Sequence, residues 1–197
     1  MANFIQKFDN QAAYDSAEHD YPNVSYVVSG DTLLFAASEP ANNKVVVYYN
    51  IEDATNEVTL WGDGGSSASE GASVTAPATM KVDGQDETVV NSWRFETTGE
   101  HVVEYTFVDD AISENFVKNV TSITKVEIYD IATIGDCAFK DINPLDVYVY
   151  PTVPPTILEY TVPFDSGCTI YVPSESVNTY KAATGWSDYA ADIEAMQ

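Results

Sequence analysis

Four stretches between residues 44 and 107 are rich in β-branched and aromatic residues, and several place them at every second position between turn formers. They are Lys44–Tyr49, Glu57–Trp61, Val89–Phe95 and His101–Phe107. Successive side chains of a strand point to opposite faces, so Val103, Tyr105 and Phe107 share one side of an extended backbone. Gly, Asp and Asn separate the runs, as turns between short strands require. Residues 41–117 are therefore expected to form a small immunoglobulin-like β-sandwich. The term is architectural only, because no Cys-Trp-Cys spacing marks a true immunoglobulin domain. Gly62–Gly71 reads as a flexible polar loop or a long hairpin tip.

The same reading extends to both ends. The polar and alanine-containing stretch Asn10–Ala17 suits a two-turn helix capped by Asp9 or Asn10. After Tyr21-Pro22, the strand-like Asn23–Val28 and Thr32–Ala36 flank Gly30-Asp31, which predicts a hairpin. Residues 1–40 thus form a short helix-hairpin segment. Strand rhythm returns in Ser122–Tyr129 and Ile131–Gly135. Pro173 and Ser174 then start a helix carrying Val177, Tyr180 and Lys181, which Gly185 ends. Ser187 caps a second helix bearing Tyr189, Ile193 and Met196. The fold class expected is mainly β.

Composition narrows the partners. Asp and Glu number 31 against 8 Lys and Arg, a formal charge of −23. Such a surface repels phosphate backbones and anionic lipid, so nucleic acid and membrane surfaces are not expected partners. The eight basic residues are scattered along the chain, and no local patch reverses the sign. Residues 1–10 turn polar after five residues, unlike a secretory leader. No run approaches the ~20 apolar residues of a membrane span. These signs predict a product held in a cytoplasm until something releases it. Cys137 and Cys168 are then expected to be free thiols serving as small core hydrophobes.

The last third carries a denser pattern. Ile134-Gly135-Asp136-Cys137-Ala138-Phe139 is followed by Pro154-Pro155-Thr156, then by Cys168–Pro173 and by Ser176–Trp186. That order resembles the end of a BspA-like leucine-rich-repeat array, with its "I-G-x-x-A-F" repeat, "P-P-T" segment and closing "Y-K-x-A-x-G-W" helix. The resemblance covers about residues 120–197 and implies a repeat module with capping helices over 118–197. Its implied core residues are Ile134, Phe139, Ile170, Tyr180 and Trp186. A coil leaves an apolar edge that only a neighbour or cap can cover. With hardly more than one coil plus the cap, the preceding sandwich is expected to cover the open end near residue 120 through a rigid junction.

The N-terminal stretch contributes a second resemblance. Phe8, Tyr14, Ala17 and Pro22–Tyr26 are similar to the start of structural proteins from tailed phages that infect gut Bacteroidetes. This likeness implies an attachment segment, for which Phe4, Ile5, Phe8, Tyr14 and Tyr26 are the candidate residues.

A search for chemistry yields no catalytic, cofactor-binding or metal-binding residue. His19 and His101 are too far apart in their contexts to suggest a metal pair, and no triad can be assembled. Asp63 among its glycines and Asp83-Gly84-Gln85-Asp86 lack the ligand spacing of a known calcium loop and read as acidic turns. The sequons at Asn23 and Asn119 read as strand residues. Abundant Tyr and Phe admit stacking on sugars, although core and interface packing is the commoner use.

Together the two resemblances imply a non-enzymatic virion structural protein. It would be a head fibre or auxiliary capsid protein of a crAss-like or related phage, on the capsid exterior after assembly in the host cytoplasm. Expected partners are phage capsid and other decoration proteins and further copies of the chain, a trimer before a dimer, with host-surface or gut glycans as a possible contact. The alternative is a Bacteroidetes cell-surface adhesion domain with its signal peptide removed. A carbohydrate-acting enzyme fragment is the third reading.

Overall fold

Alternation in Gly99–Thr106 carries through to the folded chain, where His101, Val103 and Tyr105 are buried and Val102, Glu104 and Thr106 face the other way. Phe107 continues the inward phase and packs, partly buried, against the core. The computed structural model describes residues 43–62, 74–142, 145–157, 163–165 and 167–197, and the backbone of 24–29 and 32–37. The chain divides into two compact units, residues 1–42 and 43–197.

In the first unit, β1 (Val24–Ser29) pairs antiparallel with β2 (Thr32–Ala37), with Ser29 opposite Thr32. This is the hairpin that the sequence predicts. The helix expected over 10–17 lies outside the described residues.

The strands of the second unit, in chain order, begin with β3 (Lys44–Ile51), β4 (Val58–Thr59), β5 (Thr79–Val82), β6 (Gln85–Glu87), β7 (Ser92–Trp93), β8 (Gly99–Thr106) and β9 (Ala111–Ile112). They continue with β10 (Ile123–Tyr129), β11 (Thr133–Ile134), β12 (Asp146–Val149), β13 (Thr156–Ile157), β14 (Thr169–Val172) and β15 (Ile193–Ala195). Eight of them form one sheet in the order β15-β14-β12-β10-β3-β8-β5-β6. Pairing is antiparallel from β6 to β10 and parallel from β10 to β15. The step from β3 to β10, with Val47 opposite Val126, carries the sheet without interruption across residue 117. Residues on both sides of the domain boundary expected there therefore belong to one unit. β4 and β7 form a separate two-stranded ladder.

Val126, Val147, Ile170 and Ile193 are successive partners across the parallel strands, so the chain returns to the sheet about every 22 residues. A second, three-stranded parallel ladder, β13-β11-β9, repeats the same step. In the core Phe116 meets Phe139 edge-to-face, ring centroids 6.5 Å apart, and Phe139 stacks on Phe164 at 5.5 Å. Parallel repetition thus begins at Ala111, one step earlier than the single coil expected from the sequence. Gly135 shows why its position excludes a side chain: an added Cβ would lie 2.5 Å from Glu114 N and 2.7 Å from Ser113 C.

The C-terminal end departs from expectation. A 3-10 turn at Ser174–Ser176 leads into α1 (Val177–Ala182), but the second helix expected to carry Tyr189, Ile193 and Met196 does not form. Trp186–Tyr189 is only a 3-10 turn, and Gly185, at φ +80°, stands at its N-cap in place of Ser187, which lies within the turn. Ile193 lies in β15, opposite Ile170. The edge of β14 supplies the reason. Ile170 N donates to Asp192 O at 2.9 Å and Met196 N donates to Val172 O at 2.8 Å. Those bonds satisfy edge groups that a helix would leave unpaired, and such pairing outweighs a weak local propensity.

One core joins both halves. Val45, Val47, Val103, Val126, Val147 and Ile170 on the sheet's inner face belong to the same buried cluster as Leu60, Phe95, Phe116, Phe139, Phe164 and Trp186.

Candidate functional site

The alternation that buries valines on one face of the large sheet sets tyrosines and lysines on the other. In β3 Val45, Val47 and Tyr49 point inward, leaving Lys44 and Tyr48 outward. In β10 the outward residues are Lys125, Glu127 and Tyr129; Tyr148 on β12 and Tyr171 on β14 continue the face, and Tyr150 follows β12.

In-register pairing turns these residues into two cross-strand stacks. Tyr148 is opposite Tyr171, and their rings stack at 4.6 Å. Lys125 Nζ lies 3.6 Å from the Tyr48 ring centroid and 5.7 Å from that of Tyr148. Beside this row, Tyr129 and Tyr150 stack at 4.3 Å, only 7° from parallel. Lys44 Nζ sits 4.8 Å from the Tyr129 ring. A cation over a ring face is attracted by the ring quadrupole.

Glu127 ties the rows together. Its carboxylate accepts hydrogen bonds from Tyr48 Oη at 3.2 Å, Lys125 Nζ at 3.0 Å and Tyr129 Oη at 2.8 Å. Burial works against its charge, but the bonds from Tyr129 and Lys125 and the Lys125 charge bring the carboxyl below its ordinary value. Burial, and then the bond to Glu127, push the Tyr129 hydroxyl up. Lys125 is raised: desolvation opposes its charge, and Glu127 and Tyr48 outweigh that. The result is a preorganised, partly exposed surface of ring edges, hydroxyls and paired charges, suited to binding.

The expected core residues Ile134, Phe139, Ile170, Tyr180 and Trp186 are all fully buried. Trp186 Nε1 donates to Pro155 O at 2.7 Å and Tyr180 Oη to Pro151 O at 2.6 Å, so the Pro-rich segment is held by the cap. Of the candidate attachment residues, Phe4, Ile5, Phe8 and Tyr14 lie outside the described residues. Tyr26 is in β1 opposite Phe35. His101 is a core residue: its Nδ1 is 2.7 Å from Asp83 Oδ2, and its ring stacks on Phe95 at 4.4 Å. Asp83 also accepts from Val102 N at 2.9 Å, so it anchors the β5–β6 turn. Asp63 lies outside the described residues, among which no group of three or more His, Cys, Asp or Glu is placed to hold a metal ion. Cys137 and Cys168 are free thiols; burial, with Asp192 and Asp165 nearby, pushes Cys168 up to about 12.

None of these outward tyrosines was singled out from sequence. Their signal is there: in Asp146-Val-Tyr-Val-Tyr150 and Thr169-Ile-Tyr-Val172 the tyrosines occupy the phase opposite the valines. No protein-family model matches the sequence, and no curated protein is significantly similar to it.

Proposed function

We propose that the chain is a non-enzymatic virion structural protein of a crAss-like or related Bacteroidetes tailed phage, decorating the capsid exterior as a head fibre or auxiliary capsid protein. Supporting this reading is the division of the chain at residue 42, close to the end of the 1–40 segment that carries the phage-like opening. Residues 1–40, with Phe4, Ile5, Phe8, Tyr14 and Tyr26, attach to the shell. The 43–197 unit projects an acidic β-rich surface. On this reading its parallel ladder belongs to a BspA-like leucine-rich-repeat module, and its antiparallel part is immunoglobulin-like in architecture only. Deleting residues 1–40 should leave 43–197 folded but absent from purified particles. A truncated protein that still co-sediments with capsids at full occupancy overturns the assignment.

The reading includes self-association, a trimer before a dimer, through apolar N-terminal contacts that outweigh repulsion between chains of charge −23. Salt screens that repulsion, so raising it should strengthen the assembly in light scattering. A strict monomer at all salt concentrations removes self-association and leaves the shell as the organiser.

A second reading, a Bacteroidetes surface adhesion domain, is favoured by the outward tyrosine face. Mass spectrometry of purified particles against host envelope fractions separates the two.

A further inference from the structure

We propose that the β12–β15 end of the outer sheet face is a docking surface for a basic polypeptide segment, which lays an arginine or lysine side chain over the outward ring face of Tyr171, within reach of Asp146 and Glu194. The protein already builds this arrangement twice from its own residues. Lys125 lies over Tyr48 at 3.6 Å while contacting Glu127 at 3.0 Å. Lys44 lies over Tyr129 at 4.8 Å while contacting Glu104 at 3.1 Å. In each case a tyrosine ring on one strand and a carboxylate on the same sheet face hold one cation.

At the β14–β15 end the ring and the carboxylates come from the protein without a cation. Tyr171 is opposite Tyr148 on one side and opposite Glu194 on the other, and Asp146 pairs with the adjacent Thr169. Asp146 and Glu194 are both exposed, and both raise the Tyr171 hydroxyl after desolvation. Among the described residues, no cation lies over Tyr171 and no ion pair reaches Asp146 or Glu194. The lysines elsewhere on the face, Lys44, Lys81 and Lys125, each contact a carboxylate of that face. Negative charge is therefore uncompensated at this end, and the overall −23 adds to its pull on a basic partner.

Where a ring face is open, the flanking charge selects a cation over a sugar. A pyranose needs an open ring face, yet Tyr148 is flanked by Lys125 and Tyr171, and Tyr129 by Lys44 and Tyr150. Such stacks offer edges and hydroxyls along most of their length. The terminal face of Tyr171 admits either ligand, but beside exposed Asp146 and Glu194 it favours a guanidinium, whose charge and planar fork engage ring and carboxylate at once. This inference concerns the 43–197 unit and stands whether or not residues 1–40 bind a capsid.

The test is titration of the full-length protein with acetyl-(Gly-Arg)4-amide, followed by tyrosine ring NMR, with the Tyr171 resonance assigned by its loss in Tyr171→Leu. A saturable shift of that ring is expected, with no response to acetyl-(Gly-Gln)4-amide. Tyr171→Leu should weaken binding about three-fold and Tyr171→Phe should retain it, since the ring supplies the attraction. Glu194→Gln, an exposed and conservative change, should weaken binding and flatten its salt dependence. Equal affinity in Tyr171→Leu and the parent protein would reduce the effect to diffuse charge attraction and overturn the site. So would an unmoved Tyr171 ring, or a response to a neutral glucose hexasaccharide in place of the arginine peptide.

Discussion

The two halves of the large sheet solve the problem of register differently. In the antiparallel half, β5 and β6 are joined by Asp83 and Gly84, both at positive φ, with Val82 opposite Gln85. A two-residue turn of this conformation fixes the pairing of its flanking strands locally. In the parallel half, partners are about 22 residues apart and no tight turn joins them. Register there depends on repetition, with Phe116, Phe139, Phe164 and Trp186 following one another through the interior. The cores differ accordingly. The antiparallel half buries Tyr49 and Tyr105, whose hydroxyls are 2.9 Å apart and both donate to Leu60 O. The parallel half buries Phe116, Phe139 and Phe164, which need no polar partner, and places its fully buried polar rings, Tyr180 and Trp186, at the cap, where they donate to Pro151 O and Pro155 O. Local turns tolerate polar groups in the core because short loops bring acceptors such as Leu60 O to them; the phenyl stack avoids that need, and only the cap, where Pro151 O and Pro155 O are at hand, buries polar rings.

Removing the last ring tests whether the halves are one cooperative unit. Trp186→Ala should cost ~3–5 kcal/mol, as truncation of a buried aromatic does, and should leave Pro155 O without its donor. Trp61 and Trp93 are the other tryptophans, and both lie in the antiparallel half. Their fluorescence in this variant therefore reports that half alone, while far-ultraviolet dichroism reports both. The parallel half should melt first; coincident transitions would show that pairing of β3 with β10 couples the halves fully.

A smaller effect is expected from Gly135→Ala, where the added Cβ meets backbone of the preceding rung. Overpacking of this kind costs ~1–3 kcal/mol. Amide exchange should accelerate over 111–117 with little change over 44–51. Equal acceleration in both segments would erase the distinction between local and repeated register.

The smallest effect lies on the outer face, where both halves meet. Glu127 has a folded pKa below its ordinary 4.5, so the unfolded chain takes up its proton more readily. Its contribution to stability is present above about pH 4.5 and is lost as pH falls through the folded value. Glu127→Gln should flatten that acid limb by less than ~1 kcal/mol, since the group is partly solvated. An unchanged acid limb in urea unfolding would mean that the carboxylate stabilises neither half.

Much of this protein was legible locally. β-Branched and aromatic content identified β3, alternation identified β8 and β10, and Pro22 and Gly30-Asp31 framed the β1–β2 hairpin, because side-chain phase and turn chemistry act within a few residues. The resemblance pointed to Phe139, Ile170, Tyr180 and Trp186, all of them buried. Three decisions needed the tertiary structure. Pairing of β3 with β10 merged what read as two modules into one sheet, since a strand edge carries no mark of its partner beyond its backbone groups. The β14 edge drew Ile193 into a strand although its spacing suited a helix. Registered pairing across separate returns of the chain brought Tyr48, Lys125, Tyr148 and Tyr171 into one row. Phase in the sequence sets Tyr148 and Tyr171 on the face opposite the neighbouring valines and isoleucine; only the order of strands could determine which rings and charges would touch.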